Sequence, residues 1–230
     1  MEKSVPLQIT AYLLDGRINS TSEVIMFDSI LYHSWFCVHA PQVLDGIYDE
    51  RIAKKLMVGL PLVHLPGNRW AASKGIYTEI SQNVEYINKR PDFFASDKID
   101  FLNSDKGIID SKAGKFKAYR VPQIIRTLKD NKITFFAVGK KNKIISMLQY
   151  MMAVGKKPAA GFGIVKKWEV KEIDADYTTE HPEFGLMRPI PVEEDVEKKY
   201  TDYPITMFAI KPPYWKAKNM RLCYVPIKRK

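Results

Sequence analysis

Between Gly139 and Trp168 the chain reads Gly-Lys-Lys-Asn-Lys, then an apolar helix pattern (Ile144, Ile145, Leu148, Met151, Met152), then Gly155-Lys156-Lys157-Pro158-Ala159-Ala160-Gly161-Phe162-Gly163, then a strand pattern through Trp168. Glycines let main-chain N–H groups approach an anion closely, and lysines supply the counter-charge, so Gly155, Lys156, Lys157, Gly161, Phe162 and Gly163 are candidate contacts to a phosphate backbone. In dinucleotide and P-loop sites the glycines follow a strand and open a helix. Here they follow a helix and open a strand, which sets nucleotide cofactors aside and implies no cofactor. The same loop admits a plainer reading, a helix stop at Gly155 followed by Pro158.

A second group is Lys112, Lys115, Phe116, Lys117, Tyr119 and Arg120, where bases alternate with rings. Exposed rings stack on nucleic-acid bases at about 1–3 kcal/mol each, whereas a bare run of charge reads as a solvated loop. Arg69-Trp70 is a further candidate pair, with a core tryptophan beside a surface arginine as the alternative. Gly161-Phe162-Gly163-Ile164-Val165 partly matches an RNA-recognition signature but lacks its leading base (Ala160) and second aromatic (Ile164). His33, next to Tyr32, is the histidine to weigh as a general acid or base; His39, His64 and His181 form no pattern with it.

Charge is localised. Residues 105–171 hold sixteen Lys/Arg against four Asp/Glu, and residues 172–202 hold three against ten, within a whole-chain net charge of +10. A basic field confined to one stretch is the footprint of a polyanion partner. The two cysteines, Cys37 and Cys223, stand in no metal spacing and suit a reducing cytoplasm. The N-terminal run from Leu7 to Leu14 is interrupted by polar residues and reads as neither signal peptide nor membrane span.

The elements that position these residues follow from periodicity. Leu7, Ile9, Ala11 and Leu13 alternate as a strand. Ser20 and Glu23 fit a capping box for a helix carrying Val24, Phe27, Leu31, Trp35 and Val38 on one stripe. Met57–Leu65 and Gly75–Ile87 read as a strand pair, residues 88–121 as a projecting arm, and Ile133–Val138 as a buried strand. A helix over 143–154 and a strand over 163–173 complete the set. The order strand, helix, strand, strand, helix, strand predicts an α+β, ferredoxin-like (RRM-like) domain over residues 1–173. Two helices cover one face of a mainly antiparallel sheet and the other face stays open for a ligand. Residues 174–230, with strands at Tyr203–Ile210 and Met220–Ile227, form a small C-terminal β extension.

Asp28-Ser29-Ile30-Leu31, Arg69-Trp70-Ala71-Ala72-Ser73, Ala137-Val138-Gly139 with the glycine loop, and Arg188-Pro189-Ile190-Pro191 together resemble the RAMP subunits of CRISPR effector complexes. The similarity is greatest to the type IV subunit of the Cas-five-like group. The resemblance implies a ferredoxin-like RAMP fold with a thumb at residues 88–121 and a place in a ribonucleoprotein. It implies contact with the 5′ handle of the CRISPR RNA and with a repeating backbone subunit, and a large subunit in the same particle. On this reading the protein is not an enzyme. The alternatives are a metal-independent endoribonuclease of the same superfamily, with His33 at the cut, and a reader of target-flanking DNA through Arg69 or the lysine arm.

Overall fold

A computed structural model describes residues 2–20, 22–41, 59–89, 112 and 119–226. The first strand, β1 (Val5–Leu13), keeps the expected alternation: Leu7, Ile9, Ala11 and Leu13 are buried, while Gln8 and Tyr12 are less so. It is the central strand of an antiparallel sheet. On one side it pairs with β7 (Lys132–Gly139), Val5 opposite Gly139 and Tyr12 opposite Lys132. On the other it pairs with β8 (Val165–Glu172), Leu7 opposite Glu172. Residues 62–76 continue the sheet beyond β7 only through isolated antiparallel bridges, Leu62 to Gly139, Ala72 to Ala137 and Ile76 to Thr134. This segment cannot run as one regular strand. Its first part folds back on itself as β3 (His64–Leu65) and β4 (Arg69–Trp70), joined by Pro66-Gly67-Asn68 with positive φ at Gly67 and Asn68.

Helices α1 (Phe27–His39) and α2 (Lys141–Leu148) bury Phe27, Ile30, Leu31, Trp35, Ile144 and Leu148 against the apolar side of β1 and β7. α1 starts later than the capping box predicts. Met26 is its N-cap and gives no side-chain cap. Ser20 instead donates to the Ser22 carbonyl, and the first helical amide, Phe27 N–H, bonds the Ser73 carbonyl. Val24 therefore lies before the helix, and Val38 is 40% exposed. α2 is shorter than the 143–154 expectation: it ends at Leu148, so Gly155 is not its stop.

The sheet's second face is not fully open. Phe136 on that face contacts the rings of Tyr177 and His181, and His181 contacts Phe184, so the chain after β8 folds back over it.

A second antiparallel sheet has the order β2 (Arg17–Asn19), β6 (Tyr119–Leu128), β5 (Glu79–Lys89). β5 does not pair with residues 57–65 as expected; it pairs with β6 from Glu79–Leu128 out to Lys89–Tyr119. The ends of the segment expected at 88–121 thus fall on a ribbon of β5 and β6 rooted at Glu79 and Leu128, with β2 beside β6 near the root, at Ile125–Thr127. Its root is fixed by buried Arg126, which pairs with Glu79 at 2.6 Å.

Beyond β8, a short hairpin of β9 (Glu180–His181) and β10 (Gly185–Leu186) precedes a three-stranded sheet. That sheet is β11 (Ile190–Pro191), β13 (Met220–Tyr224) and β12 (Ile205–Ala209), in that order. β12 and β13 fall within the strands expected at 203–210 and 220–227. Among the described residues no helix is long and apolar enough to cross a membrane.

Candidate nucleic-acid interface

The glycine-rich loop is a closed excursion. After α2 the chain re-pairs with itself: Val154 N–H bonds the Gly163 carbonyl, Val165 N–H bonds the Met152 carbonyl, and Ala153 bridges Ile164. The loop then docks on β2, with Lys156 N–H donating to Asn19 O at 2.8 Å and Gly163 N–H to Arg17 O at 2.6 Å.

Its glycines answer to chain geometry. A Cβ on Gly163 would lie 1.9 Å from Val154 O, and one on Gly155 2.7 Å from Asn19 O, both at positive φ. Lys157 takes the left-handed conformation (φ 58°) and leads into a short 3₁₀ turn, Pro158–Ala160. The amides of Lys156, Ala160, Gly161 and Gly163 are all donated to protein carbonyls. The expected cradle of phosphate-facing glycine N–H groups is therefore not what these amides form. What the loop presents outward is side-chain charge, Lys156 and Lys157, both exposed.

Phe162 is 6% exposed, and the Arg17 guanidinium sits 5.7 Å from its ring centroid. In this arrangement the ring is covered and is not presented to a base. Arg17, which the linear sequence does not single out, joins the loop because β2 lies beneath it. It also pairs with Asp15 at 2.8 Å.

β2 links the loop to the arm. Asn19 on β2 lies opposite Ile125 of β6, and β6 runs from there to Arg120 and Tyr119. At about 3.3 Å per residue that path is about 17 Å. Tyr119 and Arg120 are exposed, and the Arg120 guanidinium lies 3.9 Å over the Tyr86 ring. Lys112 is exposed. Lys115, Phe116 and Lys117 lie outside the described residues.

Arg69 and Trp70 are elsewhere. Arg69 is buried and forms an ion pair with Glu194 of the acidic segment, with its Nε donating to Pro66 O at 3.1 Å. Trp70 is half-buried, packs on the core and contacts His64. The structure does not bring this pair to the loop and arm. His33 lies on the exposed side of α1, away from the buried stripe.

A buried polar cluster escaped the sequence reading as a unit. Tyr214 Oη donates 2.7 Å to Asp28 Oδ1 in the first turn of α1. Fully buried Arg188 donates to the carbonyls of Trp70, Ala72 (3.4 Å) and Ile210 (3.5 Å). Burial pushes the Asp28 carboxyl up to about 6, while Arg188 and the Tyr214 hydroxyl pull the other way. Burial and the neighbouring carboxylate hold the Tyr214 phenol well above its ordinary value. Lys74 N–H bonds Met187 O, and Phe136 N–H bonds the Ser73 hydroxyl at 2.7 Å. The motifs around Asp28, Arg69–Ser73 and Arg188 thus meet in one interior knot whose job is to join elements. No group of three or more His, Cys, Asp or Glu among the described residues could hold a metal ion.

Lys156 and Lys157 are thus exposed on the loop and Tyr119 and Arg120 on β6, while the polar cluster of Asp28, Tyr214 and Arg188 lies in the interior. Residues 5–226 match the model of the family CRISPR type IV associated protein Csf3, and the chain belongs to that family. No curated protein matches the chain. Among solved structures it is similar to a chain in the crystal structure of the Csm3-Csm4 subcomplex in the type III-A CRISPR-Cas interference complex. That likeness covers 98% of this chain and 93% of that one, at 13% identity and a TM-score of 0.43.

Proposed function

We propose that this protein is a non-catalytic subunit of a type IV CRISPR ribonucleoprotein effector complex that holds the 5′ handle of the CRISPR RNA and anchors the repeating backbone subunit. Family membership supports the place in a CRISPR system. The observation that carries the RNA reading is the junction at β2: the loop bearing Lys156 and Lys157 bonds directly to a strand that pairs with the arm bearing Tyr119 and Arg120. Exposed cationic segments far apart in sequence are thereby joined through one sheet, the arrangement a polyanion needs. The core is of the ferredoxin-like RAMP kind, a reading supported by the order of residues 62–76, β7, β1, β8 with both helices on one face. The arm takes the part of the family's thumb.

The grip works through charge and stacking. Lys156 and Lys157 meet backbone phosphates, and the Arg120 guanidinium, 3.9 Å from the Tyr86 ring centroid, offers its charge to a base or phosphate. The test is a filter-binding titration of handle RNA, without metal, on the full chain. Lys156→Ala/Lys157→Ala is expected to weaken binding while the melting temperature holds, and to shallow the salt dependence by roughly 0.7 per lost contact. Intact RNA after incubation is the expected companion result. Cleavage that disappears in His33→Ala would replace this reading with the endoribonuclease.

A further inference from the structure

We infer that the outer edge of β8, with the apolar groove beside it, is a docking site for an extended acidic segment of a partner protein, which adds as a strand. This goes beyond RNA binding and concerns a different surface.

Backbone geometry comes first. β8 is a terminal strand of its sheet. Ile173 N–H bonds Pro6 O at 3.1 Å, and Lys171, Glu169 and Lys167 lie opposite Gln8, Thr10 and Tyr12. In an antiparallel pair the inward and outward backbone groups alternate, so the odd residues of β8 turn theirs to β1. Trp168, Val170 and Glu172 turn their N–H and C=O outward. Among the described residues, 152–153 pair with this edge by backbone bonds only at its start, at Ile164 and Val165, and further along the Trp168 indole donates to Met151 O at 2.9 Å, leaving the outward backbone groups of Trp168, Val170 and Glu172 without a backbone partner strand.

Side chains come second. A groove of about 400 Å³ runs between α2 and β8, lined by Ile145, Leu148, Met151, Met152, Trp168 and Val170. Met152 is 76% exposed and Ile145 37%. A strand laid along the β8 edge would drop alternate side chains into this groove and raise the others to solvent.

Charge selects the occupant. Lys166 and Lys167 line the groove, and both are exposed. The nearby acids are engaged: Glu172 pairs with Lys141 at 2.9 Å and Glu169 with Lys171 at 3.2 Å. Lysines on an edge strand repel a second copy of that edge, which disfavours self-pairing and leaves an acidic partner favoured. The apolar lining and the row of outward amides favour a peptide backbone over RNA.

The experiment uses the full chain and a synthetic probe, acetylated Glu-Val-Glu-Val-Glu-Val-Glu, followed by amide hydrogen exchange. Saturating probe is expected to slow exchange at Trp168, Val170 and Glu172 by about tenfold or more. A Glu-Gly alternating peptide should give no protection. Val170→Pro removes an outward N–H without touching the β1 ladder, so it should abolish the effect; it gives up part of the packing of Val170 on the core, so the melting temperature falls modestly while the chain stays folded and handle-RNA affinity holds. No protection in the wild-type chain, or equal protection in Val170→Pro, would overturn the proposal. Protection of these amides by RNA and not by the peptide would overturn it in favour of a nucleic-acid groove.

Discussion

Tyr214 and Asp28, 186 positions apart, share a 2.7 Å hydrogen bond in the interior. It fastens the C-terminal segment to the first turn of α1. Tyr214→Phe keeps the ring and removes the donor, leaving a buried carboxyl with one partner fewer. The expected loss is about 1–3 kcal/mol of unfolding free energy. A chemical denaturation midpoint that does not move would show the bond to be dispensable.

The same carboxyl sets a pH dependence. Asp28 is raised from an ordinary 3.8 to about 6, mainly by burial. The folded protein therefore binds more protons than the unfolded chain between those values. The stabilisation from this group is complete below about pH 4 and is lost as pH rises through about 6. Unfolding measured in parallel for the wild-type chain and Asp28→Asn should show the wild type losing ground relative to the variant across that window. Parallel curves would contradict the assignment.

Much of the central sheet was legible. Leu7 to Leu13 alternates because one face of β1 is buried, and Ile133 to Val138 is apolar because β7 lies between β1 and the 62–76 segment. The start of α1 is not legible: Ser20 and Glu23 have capping-box spacing, yet the helix begins where Ser73 offers its carbonyl, a contact invisible to local pattern. The pairing of β5 with β6 is not legible for a related reason. Ile80, Val84 and Tyr86 alternate like a half-buried strand, but they are 66%, 53% and 52% exposed, so their pairing partner was sought in the wrong place. At the candidate interface, charge and ring content single out Lys156, Lys157, Tyr119 and Arg120, and all four are exposed. Arg17 was missed because only the fold puts β2 under the loop.

The loop glycines should separate by mutation. Gly163→Ala meets Val154 O and takes an unfavourable φ, so it should unfold the loop's docking on β2 and lower the melting temperature clearly. Gly161 faces open space at φ +87°, and Gly161→Asn should be milder, since asparagine tolerates the left-handed region. Equal losses of melting temperature at both positions would contradict this account of why Gly163 is required.

Arg69→Ala distinguishes structure from recognition. It leaves Glu194 without its partner and opens a buried site, with an expected cost of about 2 kcal/mol or more to stability. Handle-RNA affinity, measured well below the variant's melting temperature, should stay within a factor of two or so. A selective loss of DNA or RNA binding in a fully stable variant would restore Arg69 to the nucleic-acid surface.

Where the RNA lies is answered most directly by photo-crosslinking handle RNA carrying 4-thiouridine to the full chain and mapping the attached peptides by mass spectrometry. Adducts are expected on peptides containing residues 155–163 and on those containing Tyr119 and Arg120, in the same sample. Adducts confined to α1, to the β8 edge or to residues 190–224, with none on the loop or the arm, would contradict the proposed grip.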